Sequence, residues 1–160
     1  MALTLTYRTR MQGRRRVTPV VLNPGDDMKF EIDLLRDLLI YVEENAVDPW
    51  SDLVEVSLEG WTPKEITYHV ILAEEAGLIK AWLSEIPDAE NPINILVSFS
   101  IQRLTFNGHE LLGSIREPKH WQLIKKGAKS AGIGTVGALG SYIQAYVKAE
   151  INKRFGLDIS

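Results

Sequence analysis

The run Ile95-Leu96-Val97-Ser98-Phe99-Ser100-Ile101-Gln102 constrains this chain more than any other stretch. Ile95, Val97, Phe99 and Ile101 occupy every second position, with Ser98, Ser100 and Gln102 between them. A period of two puts the apolar side chains on one face of a β-strand and the polar ones on the other. The strand needs a partner for its backbone groups, and Leu78–Leu83 is the nearest β-like run. Turn-rich Ser84–Pro92 lies between the two, so the spacing predicts a hairpin. The apolar face of that hairpin must be covered, and the rest of the apolar pattern is helical.

Phe30–Asn45 is the clearest helix, with Leu35, Leu38, Leu39 and Val42 at i, i+3, i+4 and i+7. Leu53–Leu58 alternates well enough for a short strand. Thr62-Pro63-Lys64-Glu65 then opens a second helix. Threonine caps it, proline takes the first helical position, and glutamate three residues on closes a capping box. Ile66, His69, Val70 and Ala73 mark its buried face, and Gly77 sits where a left-handed C-terminal cap is expected. Thr105 can cap a further helix that turns Leu111, Leu112 and Ile115 inward. Trp121–Lys126 and Val136–Phe155 complete a helical C-terminal part.

Charge is strongly segregated. Residues 1–27 carry +3, residues 28–115 carry −11 and residues 116–160 carry +5, within a net charge of −3. The first segment holds Arg8, Arg10, Arg14, Arg15 and Arg16 and ends in the turn cluster Pro24-Gly25-Asp26-Asp27. It reads as a flexible basic arm, with a short strand expected within Val17–Leu22, rather than as a transit peptide. Without a signal-peptide pattern the expected location is cytoplasmic. The absence of cysteine excludes disulfides, thiolate metal sites and a cysteine nucleophile.

Helix, short strand, capped helix, hairpin, helix is the order of a winged-helix body. The expected fold is therefore α+β, with an arm at 1–27, a winged-helix-like body at 28–116 and a helical extension at 117–160. Residues from Met28 to Leu157 also resemble an uncharacterised bacterial and prophage family, domain-of-unknown-function family twenty-five thirteen. The resemblance rests on three groups of residues. The first is Met28-Lys29, Asp33-Leu34-Leu35-Arg36 and Val42-Glu43-Glu44. The second is Glu65-Ile66, Tyr68-His69 and Ala76-Gly77-Leu78-Ile79. The third is Arg103-Leu104-Thr105, Gly108-His109-Glu110, Ser114-Ile115-Arg116 and Trp121. The resemblance implies a prophage or mobile-element context and no particular activity.

Candidate chemistry is sparse. His69 and His109 could form a proton-transfer or metal pair, but His69 on an apolar helix face reads as a hydrogen-bonded core residue. His109-Glu110 lacks the second histidine of a zinc-protease helix, since Gly113 stands in its place. Gly132, Gly134 and Gly137 match the spacing of a dinucleotide fingerprint without the strand that must feed it, so an interhelical loop accounts for them better. Ser130–Val147 is an eighteen-residue uncharged run, only mildly apolar, which suits self-association better than a membrane span. No catalytic, metal-binding or cofactor-binding residue is assigned, and no cofactor is expected.

The outer face of the capped helix decides the functional expectation. Thr67, Tyr68, Ile71, Glu74 and Glu75 are expected to point outward, on an acidic body, where a DNA-reading helix offers arginine, lysine or amide groups. The expected function is a non-enzymatic regulatory or adaptor module that binds a protein partner through those residues. The alternative is a DNA-binding regulator that uses Arg8, Arg10, Arg14, Arg15 and Arg16 or the basic tail. An enzyme or membrane-active effector comes third, and a homo-oligomer is anticipated.

Overall fold

A computed structural model describes residues 17–156. Among them are five helices and a three-stranded antiparallel sheet of order β1-β3-β2. The elements in chain order are β1 (Val20–Leu22), α1 (Ile32–Asn45), α2 (Pro63–Glu75), β2 (Ile79–Pro87), β3 (Ile95–Leu104), α3 (Phe106–Ile115), α4 (Pro118–Ser130) and α5 (Val136–Phe155). The fold is thus mixed α+β, as the two periodicities require.

β2 and β3 form the expected hairpin, with Trp82 opposite Ser100 and Ser84 opposite Ser98. It is longer than the turn residues suggest, because Ser84–Pro87 pairs with Ser98–Ile95 before the chain turns. Val97, Phe99 and Ile101 are buried, while Ser98, Ser100 and Gln102 are only half-buried on the opposite face. The third strand comes from an unexpected place. Leu53–Leu58 makes a single bridge, Leu53 to Ile101, and is not a strand. The same edge of β3 is taken by β1, which pairs Val20 with Val97 and Leu22 with Ile95. The edge therefore divides between β1, opposite Ile95–Val97, and Leu53, opposite Ile101, and residues 54–58 do not extend the pairing. The segment 1–27 contains the short strand expected within Val17–Leu22, and the chain docks on the sheet there.

The helix ends follow their sequence signals. Thr62 Oγ1 accepts from Glu65 N–H at 3.3 Å while Glu65 Oε2 accepts from Thr62 N–H at 2.9 Å, a complete capping box. At the other end of α2, Gly77 adopts φ +70°. Its N–H reaches Glu74 C=O and the Leu78 N–H reaches Ala73 C=O, which closes a Schellman motif. Thr105 caps α3 by accepting from Gly108 N–H at 3.0 Å, and its hydroxyl donates to the Gly77 C=O. One threonine therefore ties the end of α2 to the start of α3. Gly108 is held to that junction closely, since an added Cβ would lie 2.0 Å from the Leu78 carbonyl oxygen.

A single core runs through all the helices. Leu34, Leu35, Leu38, Leu39 and Val42 of α1 pack with Ile66 and Val70 of α2 and with Ile101 of β3. Leu112 and Ile115 of α3, Trp121 and Ile124 of α4, and Leu139 and Ile143 of α5 belong to the same cluster. The helical part expected over 117–160 is thus packed into the body it follows. The uncharged run Ser130–Val147 is not one helix. α4 ends at Ser130, Gly132 takes φ +69°, and α5 begins only at Val136. Among the described residues no helix is long and apolar enough to cross a membrane.

Candidate functional site

α2 lies between α1 on one side and β1 and β2 on the other, and this sandwiching sets which of its residues reach solvent. Ile66, Val70 and Ala73 are buried as the periodicity requires. Thr67 is buried too, at 1% exposure, and its expected place on the outward face is corrected. The apolar residues alone define too narrow an arc. A helix packed on two sides buries a neighbouring position as well, here Thr67. Of the other residues expected outside, Tyr68, Ile71 and Glu74 are half-buried and Glu75 is exposed.

The only base on α2 is occupied. Lys64 Nζ lies 3.0 Å from Asp26 Oδ2, and Asp26 also accepts from the Asn23 N–H at 2.8 Å. The Asn23 backbone contact and then Lys64 hold the Asp26 carboxyl below its ordinary pKa. The outward face of α2 therefore presents Tyr68, Ile71, Glu74 and Glu75 with no unpaired cation among them. The arginines Arg8, Arg10, Arg14, Arg15 and Arg16 lie outside the described residues.

His69 is fully buried, and both its ring nitrogens are used. Nε2 accepts from the Glu31 N–H at 2.8 Å, which places the proton on Nδ1 for donation to the Glu65 C=O at 2.8 Å. Glu31 is the N-cap of α1 and has no side-chain cap, so the imidazole takes the backbone donor that a capping-box glutamate would otherwise satisfy. Phe30 stacks on the ring and Tyr68 meets its edge, each with centroids 5.8 Å away. Burial pushes the His69 pKa below its ordinary value. This is the core histidine of the structural reading, with no nitrogen left for a metal. His109 contacts Glu43, at 3.9 Å, near the far end of α1. Glu31 and Glu43 are about 18 Å apart along that helix, so the two histidines do not form a pair.

A polar seam between α1 and the α3–α4 corner gathers residues that the sequence did not single out for a site. Asp33 accepts from Trp121 Nε1 at 2.9 Å and from Lys125 Nζ at 3.0 Å. Arg36 donates to the Ile115 and Arg116 carbonyls at 2.8 and 2.7 Å, and its guanidinium lies 5.8 Å from the Trp121 ring centroid. Glu43 pairs with Arg116. Asp33 and Glu43 are paired with Lys125 and Arg116, and Arg36 ties two carbonyls to α1, so the seam holds the corner together. The only earlier signal for it was their recurrence in the quoted motifs. Among the described residues no group of three or more histidine, aspartate or glutamate side chains could hold a metal ion.

The comparisons with known proteins fall on this same framework. The family described as "Hypothetical protein (DUF2513)" matches residues 29–134, from the approach to α1 through α4 and its closing glycine loop. The chain belongs to this family. The match is shorter at its C-terminal end than the resemblance expected, and it omits both β1 and α5. The seam residues Asp33, Arg36, Glu43, Arg116 and Trp121, together with His69, Thr105 and Gly108, all lie inside it. An "Uncharacterized protein" of Haemophilus influenzae is 30% identical over 106 residues, covering 66% of this chain and 83% of the relative. No solved structure matches the chain.

Proposed function

We propose that this family member is a non-enzymatic regulatory or adaptor module of winged-helix type, in a prophage or mobile element. It works through protein–protein contacts made by the outer face of α2. In this reading α1, the Leu53 bridge, α2, the β2–β3 hairpin and α3 are the winged-helix elements, and the hairpin is the wing. The observation that carries it is the Asp26–Lys64 contact, which takes the one base of α2 and leaves Tyr68, Ile71, Glu74 and Glu75 facing out. Phosphate contacts supply most of the affinity in DNA binding, and this face offers carboxylates instead. Half-buried Tyr68 and Ile71 ringed by glutamates suit the apolar centre and polar rim of a protein interface.

A second reading has its own support. Lys126 and Lys129 on α4 and Lys148, Lys153 and Arg154 on α5 are exposed bases, able to follow a phosphate backbone along with the arginine arm. Affinity capture with the full chain at native salt, analysed for protein and nucleic acid together, separates the readings. The adaptor reading expects a nuclease-resistant protein partner that is lost with Tyr68→Ala plus Ile71→Arg. Retention of nucleic acid alone, lost when Arg14, Arg15 and Arg16 are replaced, establishes the DNA reading instead.

A further inference from the structure

α5 buries only two side chains fully, Leu139 and Ile143, both in its first half. A cleft of about 400 Å³ lies between that half and α3, lined by Leu78, Leu111, Gly137, Gly140, Ile143 and Val147. Its floor is open, because an added Cβ at Gly137 or Gly140 meets nothing within 4 Å. One acid, Glu110, lines the cleft, and no base does. The second half of α5 has the opposite character. Val147, Ile151 and Phe155 recur every fourth residue along one face, with Ile151 37% and Phe155 70% exposed. Lys148, Lys153 and Arg154 accompany them, all exposed, against one acid, the half-buried Glu150.

An apolar cleft with one acid in its lining and an apolar stripe with basic flanks thus occur on one chain. Beyond Val147 they cannot meet within it, because α5 is continuous over Val136–Phe155 and its last turns cannot fold back into a cleft walled by its own first half. We propose that the occupant is a second copy of this chain, the distal half of α5 from each protomer lying in the α3–α5 cleft of the other. Val147 belongs to both the cleft and the stripe, which places the two contacts side by side, as a two-fold arrangement requires. The glycine floor lets the incoming helix approach closely, and the lysines and arginine of the stripe come to Glu110. The α3 wall of the cleft lies inside the family match and α5 beyond it.

The test is sedimentation of the full chain across roughly 1–100 µM, with two variants read beside it. Gly140→Leu fills the cleft at a position with open space, and Ile151→Glu with Phe155→Glu breaks an exposed stripe. The proposal expects a dimer for the parent and at least a roughly tenfold weaker association for each variant, with unchanged helical circular dichroism. A parent that stays monomeric at ~100 µM, whether or not another protein binds this face, overturns it. So does a dimer that either variant leaves intact, or a parent that sediments with phosphatidylcholine or phosphatidylglycerol vesicles.

Discussion

Replacing His69 is the perturbation with the most readable consequence, because the imidazole fastens the start of α1 to α2 only while it is neutral. In His69→Leu the Glu31 N–H loses its acceptor in a part-buried contact at the N-terminus of α1. Losing that bond costs about 1 kcal/mol, or roughly 2–4 °C of Tm in a chain of this size. Protonation has a related effect, since it turns the Nε2 acceptor into a donor facing another donor and places a charge in a buried site. The folded-state pKa is pushed down by burial while the unfolded value is ordinary, near 6.5. Below about pH 6.5 the unfolded chain therefore binds the proton first. The stability owed to neutral His69 is fully present above that pH and is lost as pH falls toward the depressed folded value. The slope is at most about 1.4 kcal/mol per pH unit. Urea unfolding of the parent and of His69→Gln at about pH 7.5 and 5.5 isolates the effect, because Gln can accept from Glu31 N–H but does not titrate in this range. Subtracting the Gln curve leaves the part that belongs to position 69. Equal pH dependence in the two proteins, or a His69→Leu protein as stable as the parent, refutes the reasoning.

Gly108→Ala forces a Cβ against the Leu78 carbonyl and is expected to cost about 1–3 kcal/mol in urea unfolding. Gly113→Ala, with open space around it, is expected to be neutral or to stabilise by up to about 1 kcal/mol. Asp33→Ala leaves the buried Trp121 N–H unpaired and is expected to cost about 1–3 kcal/mol. Asp33→Asn keeps an acceptor and is expected to cost less, with tryptophan fluorescence reporting the transition. Thr62→Ala removes half of the capping box and is expected to cost about 1 kcal/mol, read from the urea midpoint.

Local chemistry was legible wherever a signal sat within a few residues. The capping box at Thr62, the left-handed Gly77, the Thr105 cap and the alternation over Ile95–Ile101 each name their own geometry. What depends on distant partners was not. Leu53–Leu58 has strand periodicity, but β1 shares the edge it needed, and no local pattern shows that competition. Thr67 looks outward on a helical wheel because the wheel cannot show packing on two sides. The Asp33–Trp121–Lys125 contacts span about 90 residues of sequence, and although Asp33 and Trp121 stand in the quoted motifs, nothing local joins them to each other or to Lys125. The Asp26–Lys64 pair, which most affects the functional reading, joins a turn read as part of an arm to a helix read as free on its outer face.

The central claim is that α2 presents a protein-binding face and does not read DNA. Fluorescence anisotropy of the full chain with labelled duplex DNA at about 0.15 M salt tests it most directly, alongside Tyr68→Ala and the replacement of Arg14, Arg15 and Arg16. The account predicts that Tyr68→Ala leaves any DNA binding unchanged, and that whatever binding exists follows the arginines and falls steeply with salt. Micromolar binding abolished by Tyr68→Ala contradicts it.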